Sequence, residues 1–223
     1  MWGANKLITW VFKPYFKSLQ IQKIRWSCGN KNDLGIYEEE GWRDWSERET
    51  TPDQKRIESF LSSKPHGGKF LLHVGVGNSE FAKSVHSDFV GIDGITIERN
   101  EYEKGHKSGI DNYQVFLINK FSSKLSDNLG SNYDLIIDNN PASFACCRKH
   151  FFIMMMSYWK LLRPGGVLLT DREGLEWVSS LNNPLWEMTG KDWLEIGSKF
   201  KFEGVSYDEW VIGLRKPIKG QKT

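Results

Sequence analysis

The sequence predicts an α/β fold, a mostly parallel sheet covered by helices on both faces. Three observations carry this. From Lys69 onward, short runs with apolar cores alternate with segments of helical periodicity, the signature of strands buried on both sides. Leu71-Leu72-His73-Val74 runs straight into Gly75-Val76-Gly77, and Phe81, Ala82 and Val85 then follow at helical spacing. That is how a buried parallel strand ends, bends and feeds a helix. Finally, Lys201–Tyr207 and Trp210–Arg215 are two β-rich runs joined by Asp208-Glu209, which reads as an antiparallel pair at one edge of the sheet.

The elements follow in order. A helix begins at Thr51-Pro52-Asp53-Gln54, where Thr51 can cap, Pro52 suits the first turn and Gln54 completes a capping box. Ile57, Phe60 and Leu61 give its apolar face, and Pro65-His66-Gly67-Gly68 ends it. Strands are expected at 69–74, 89–96, 113–118, 133–138 and 166–170. Helices are expected near 79–86, 98–107, 121–128 and 143–162. Arg163-Pro164-Gly165-Gly166 reads as a helix stop and a turn into the fifth strand.

Residues 1–50 differ. They show no strand–helix alternation, yet five of the ten tryptophans (Trp2, Trp10, Trp26, Trp42, Trp45) lie there. Leu7, Ile8, Trp10, Val11 and Phe12 suggest a short helix before Pro14, and Lys6, Lys13, Lys17, Lys23 and Arg25 interleave with the aromatics. An interfacial membrane helix is one reading. A flap packed on the main domain is the other, favoured because Pro14 interrupts the pattern early. The expected division is a lid over residues 1–50 and a ligand-binding domain over 51–223.

Composition narrows the function. The 223 residues suffice for one large domain with a real core. Thirty Lys and Arg against 28 Asp and Glu give a formal charge of +2, no general electrostatic case for nucleic acid. No run is long enough to span a bilayer, so a membrane partner is not expected. Three cysteines, two of them adjacent (Cys146, Cys147), match neither a disulfide framework nor a zinc spacing. They read as buried reduced thiols of a cytoplasmic protein, and no metal is expected.

The motif order resembles the class I S-adenosylmethionine (SAM)-dependent methyltransferases over roughly residues 52–216. Four segments carry the resemblance: the Gly75–Gly77 loop, Gly94-Ile95-Thr96-Ile97-Glu98-Arg99-Asn100-Glu101, Tyr133-Asp134-Leu135-Ile136-Ile137-Asp138, and Leu161-Leu162-Arg163-Pro164-Gly165-Gly166-Val167-Leu168-Leu169. The resemblance implies a Rossmann-like seven-stranded sheet with an antiparallel C-terminal strand, and SAM as cofactor. A dinucleotide-binding Rossmann domain competes, but its fingerprint wants a third glycine where this chain has Glu80. A carboxylate there would face a pyrophosphate, whereas SAM carries a positive sulfonium and no phosphate.

Several site residues are implied. Gly75 and Gly77 let the backbone pass close to the methionine part of SAM, and Asn78 and Ser79 cap the next helix or touch the same moiety. His73 stands where the family usually has an acidic residue that orients the cofactor. For the ribose, two registers remain open. Asp93 is one candidate. In the other, residues 94–101 resemble the G-[IVL]-T-[IL]-S-x-x-Q stretch of cyclopropane-synthase-like members, which makes Thr96 and Glu101 the ribose contacts. Asn119 takes the place of the residue that accepts the adenine amino group, with Phe121 packing on the ring. Asp138, followed by Asn139 and Asn140, ends the fourth strand where methyl and acceptor meet, and it could orient or deprotonate a nucleophile. Asp138 and Asp171 resemble the aspartates of metal-dependent catechol-type O-methyltransferases, but Arg172 replaces the expected Asn. His150 is the other candidate base. Met154-Met155-Met156 reads as core, and Trp177, Trp186 and Trp193 shape the acceptor pocket or pack.

Because the sulfonium methyl is already activated, such an enzyme needs alignment, water exclusion and proton removal rather than a covalent intermediate. The reading is therefore methyl transfer to O or N of a small molecule. The alternatives are an RNA or protein methyltransferase, aminopropyl transfer on the same fold, and a non-catalytic SAM-fold scaffold. A homodimer is compatible with the sequence. As a lid, residues 1–48 should be dispensable for SAM binding, while their loss should reduce turnover or change specificity.

Overall fold

The computed structural model describes residues 23–29, 44–130, 132–142, 145–177, 186–218 and 220. The expected helix near residues 7–12 lies outside the described residues. The elements run α1 (Pro52–Ser62), β1 (Phe70–Val74), α2 (Glu80–Val85), β2 (Gly91–Thr96), α3 (Arg99–His106), β3 (Tyr113–Leu117), α4 (Leu125–Asn128), β4 (Tyr133–Ile137), α5 (Arg148–Leu161), β5 (Leu162–Asp171), α6 (Arg172–Glu176), α7 (Gly190–Lys199), β6 (Glu203–Ser206) and β7 (Val211–Arg215).

The strands form one seven-stranded sheet in the order β3-β2-β1-β4-β5-β7-β6. The neighbours from β3 through β5 are parallel, and β7 runs antiparallel to both β5 and β6. Chain order reverses direction across the sheet at β1 and β4. Their carboxyl ends therefore open a crevice, the usual ligand position in such sheets.

The side-chain period of two divides the interior into two layers. Leu72, Ile136 and Leu168 enter one core with Phe151, Met154, Met155 and Tyr158 of α5 and with Trp193 of α7. Leu71, Leu135, Ile137, Val167 and Leu169 enter the other with Ile57 and Leu61 of α1 and Phe81 and Val85 of α2. Strand residues buried on both faces explain the apolar runs of the sequence.

Three local expectations are corrected. Arg163–Gly166 is not a turn between elements: β5 starts directly after α5, pairs Tyr133 with Leu162, and takes a bulge before Leu135 meets Val167. The helix near 121–128 shrinks to Leu125–Asn128. The capping box at Thr51 does not form, since Thr51 makes no side-chain cap. Gln54 reaches elsewhere instead. A capping box outside the sequence expectations, Thr189 with Asp192, opens α7.

Candidate active site

The crevice at the carboxyl ends of β1 and β4 holds a cavity of about 330 Å³, in the range of small-ligand clefts. His73, Gly75, Gly77, Asn78, Thr96, Glu101, Asn119 and Asp138 line it. Ser79, Asp93 and His150 do not.

The bend after β1 forms one wall. Gly75 has φ +79° and Gly77 φ +52°, backbone that side-chain-bearing residues avoid. A Cβ on Gly75 would meet nothing within 4 Å, so the bend presents bare backbone to open space. Asn78 Oδ1 accepts the Glu80 N–H at 3.0 Å and so covers the start of α2. Ser79 does not cap. It takes φ 63° with its hydroxyl 3.3 Å from the Tyr113 hydroxyl, fully buried.

His73 sits beneath the bend, paired in register with Gly94 and Ile137, its ring 4.4 Å from that of Phe81. Burial pushes its pKa down to about 3, so the imidazole is neutral. Its Nδ1 is buried without a hydrogen-bond partner among the described residues, although such atoms are normally satisfied.

At the end of β2, Thr96 donates to Glu101 Oε2 at 2.6 Å, and the Trp45 N–H donates to Oε1 at 3.2 Å. Burial raises the Glu101 carboxyl to about 6 against these donors. Asp93 belongs to another contact: it accepts a hydrogen bond from the Tyr133 hydroxyl, and neither residue lines the cavity. Of the two registers left open by the sequence, only Thr96 and Glu101 reach the crevice.

Asn119 Oδ1 accepts the Phe121 N–H at 2.8 Å. Phe121 itself is fully buried in the core, not stacked in the cavity.

The floor is a charged network. Lys120 Nζ lies 3.0 and 3.1 Å from the Asp138 carboxylate oxygens and 2.6 Å from the Asn140 carbonyl. The Tyr158 hydroxyl donates to Asp138 Oδ2 at 2.6 Å, and the Asn140 N–H to Oδ1 at 3.2 Å. Burial lowers the Lys120 pKa against the pull of Asp138 and raises that of Tyr158. Each Asp138 carboxylate oxygen thus meets two donors among the described residues.

Beside the floor, Asn139 Nδ2 donates to Gln54 Oε1 at 2.6 Å, which is why Gln54 abandons the cap. Gln54 Nε2, Asn139 Oδ1 and Asn140 Oδ1 are buried without partners among the described residues, and all three residues line the cavity. Trp45, Arg48, Glu49, Asp53, Glu173 and Trp177 also contribute to the walls. The segment 44–50 is tied across the bend by Asn78 Nδ2 donating to the Arg48 carbonyl at 2.7 Å and by Asn100 Nδ2 donating to Asp44 at 2.8 Å.

Other candidates lie outside. Asp171 is fully buried and bidentate with Arg56, at 2.7 Å to both oxygens, and it does not line the cavity. Trp186 and Trp193 are core residues. His150, expected as a base, lies in α5 against all three cysteines, its Nδ1 3.0 Å from Cys146 Sγ, 3.3 Å from Cys147 Sγ and 3.6 Å from Cys28 Sγ. Nothing in the sequence marks Lys120, Tyr158 or Gln54 as part of the site. Lys120 adjoins the singled-out Asn119, but no periodicity marks a loop lysine as buried. Trp45 carried a signal only as part of the aromatic N-terminus.

No protein-family model matches the sequence, and no curated protein matches it. Solved structures do. The CurJ carbon methyltransferase aligns with a TM-score of 0.55 at 16% identity over 74% of this chain. This chain spans only about half (54%) of that one. The N-methyltransferase NodS from Bradyrhizobium japonicum, in complex with S-adenosyl-L-homocysteine (SAH), aligns with a TM-score of 0.54 at 12% identity over 76% of this chain and 90% of its own. An O-methyltransferase family protein from Burkholderia thailandensis aligns with a TM-score of 0.53 at 11% identity over 75% of this chain and 57% of its own. At these identities the likeness is one of fold: the chain has the Rossmann-like fold of the SAM-dependent methyltransferases.

Proposed function

We propose that the protein is a SAM-dependent methyltransferase acting on a nitrogen or oxygen of a small molecule. One observation carries this: a bare glycine bend and a buried Thr96–Glu101 pair face, across one cavity, a cluster of unpartnered amide groups. The first two features suit the cofactor. The Gly75–Gly77 backbone can approach the methionine part, and the His73 Nδ1 atom lacks the partner that a ligand amino group would supply. The Glu101 carboxylate can accept two ribose hydroxyls.

When bound, SAM supplies an activated methyl on a sulfonium. The chain supplies alignment and a dry site. Asn139 Oδ1 and Asn140 Oδ1 are acceptors, so they favour an amine or hydroxyl that arrives with N–H or O–H donors. Glu49, Asp53, Glu101, Asp138 and Glu173 outnumber Arg48 and Lys120 around the cavity. That balance suits a cationic donor and favours an amine acceptor. Lys120 offsets Asp138, so the floor stays fixed while a nucleophile is held against the amides.

Two measurements test the reading. Calorimetry should give micromolar binding of SAH, and labelled SAM should transfer methyl to members of a panel of small amines and alcohols. Absence of SAH binding rejects the cofactor assignment. Tight binding with no transfer to any small acceptor, but transfer to RNA or protein, rejects the substrate class.

A further inference from the structure

All three cysteines of the chain converge on one imidazole, outside the lining of the methyl-donor cavity. Cys28 comes from the N-terminal segment, Cys146 and Cys147 from the entrance to α5, and His150 from its first turn. Their four ligand atoms lie within 4.8 Å of one another, although Cys28 and His150 are 122 residues apart. None of the four lines the methyl-donor cavity.

We infer that Cys28, Cys146, Cys147 and His150 form a structural zinc site that fastens the N-terminal segment to α5. Three arguments converge on it. The first is geometric. A tetrahedral zinc with bonds of about 2.3 Å to sulfur and about 2.0 Å to nitrogen separates sulfurs by about 3.8 Å and sulfur from nitrogen by about 3.5 Å. The Cys146 and Cys147 sulfurs are 3.8 Å apart, and the three sulfur–Nδ1 distances are 3.0, 3.3 and 3.6 Å. Neighbouring side chains of an extended chain normally diverge, and Cys147 is extended (φ −167°, ψ 164°). Two adjacent sulfurs meeting at one nitrogen therefore mark a common centre.

The second argument is electrostatic. Helix α5 has no side-chain cap and no acidic residue in its first turn. It opens instead with Arg148 and Lys149, charges that oppose the helix dipole. A zinc ion with three thiolates and a neutral imidazole carries one net negative charge, the complement that this helix start lacks. Arg25 adds to the positive surroundings, with its Nε donating to the Cys146 carbonyl at 3.1 Å.

The third is coordination number. Four protein ligands close the coordination sphere, which makes the site structural rather than catalytic. The strands of contact around it are already in place. The Arg148 and Lys149 N–H groups donate to the Arg25 and Trp26 carbonyls at 3.2 and 2.9 Å, and Trp26 packs on Phe152. None of the cysteines is in a disulfide. Loading the site expels the thiol protons, so affinity should rise with pH.

The test uses the full chain, expressed in zinc-supplemented medium and purified under reductant without chelator. Elemental analysis should find about one zinc per chain. Cobalt(II) added to the stripped protein should give sulfur-to-cobalt charge transfer and the intense visible bands of a tetrahedral site, and zinc should bleach them. Cys28→Ser should weaken zinc binding by roughly 100-fold or more while SAH binding persists. A zinc content near zero together with no tetrahedral cobalt spectrum in reduced wild-type protein overturns the proposal. So does a disulfide that forms without metal and restores full thermal stability. The wild-type cobalt titration needs no variant to fold.

Discussion

Glu101 is the residue on which cofactor chemistry can be read most directly. Its folded carboxyl titrates near pH 6, raised by burial, against an unfolded value near 4.3. The raised value means that the folded state holds the proton more tightly. The associated stability is present below the unfolded pKa and is lost as pH rises through about 6. Ribose hydroxyls favour the ionised form, so ligand binding has the opposite sense. SAH affinity should fall as pH drops below about 6, and Glu101→Gln should weaken binding roughly tenfold and flatten that pH dependence. Calorimetry across pH 5–8 checks both, and an unchanged affinity in the variant refutes the ribose assignment. At the floor, Lys120→Met leaves the Asp138 carboxylate buried and unpaired, a loss of about 3–5 kcal/mol in stability. Adding Asp138→Asn should recover part of it in urea denaturation, because the stranded charge is then gone.

At the scale of elements, the segment 44–50 alters the lid idea. The Trp45 N–H binds Glu101, and the Arg48 carbonyl is held by Asn78. Deletion of residues 1–48 should therefore weaken SAH binding as well as turnover, whereas a simple lid leaves SAH binding untouched. Calorimetry on the truncated chain decides between the two. Helix α1 makes a related point. Its start looks like a capping box in sequence, yet Gln54 spends its amide on Asn139. Apolar periodicity made the strands and most helices legible, since burying both sheet faces leaves a dense hydrophobic record. The glycine bend and the residues ending β2 and β4 were legible because ligands meet these sheets at strand ends. Lys120, Tyr158 and the cysteine cluster were not. Each depends on a partner brought from another element by the fold, and spacing rules register only neighbours along the chain.

For the whole molecule, a ligand bound in the crevice between β1 and β4 adds to folding stability, so binding can be read as stability. SAH at 100 times its dissociation constant should add about 2.7 kcal/mol. In a chain of 223 residues that raises the melting temperature by roughly 5–10 °C. An unchanged melting temperature at SAH concentrations in this range contradicts binding of SAH to the folded chain. The attachment of Arg25 and Trp26 to the start of α5 also sets a timetable for biosynthesis. The first of these partners leaves the ribosome long before the second exists. At about 5–20 residues per second, the 122 residues between Cys28 and His150 leave the early segment waiting roughly 6–24 s. Through that interval Ile24 and Trp26 have no α5 to rest on, so these two apolar side chains await their partner and a chaperone can shield them.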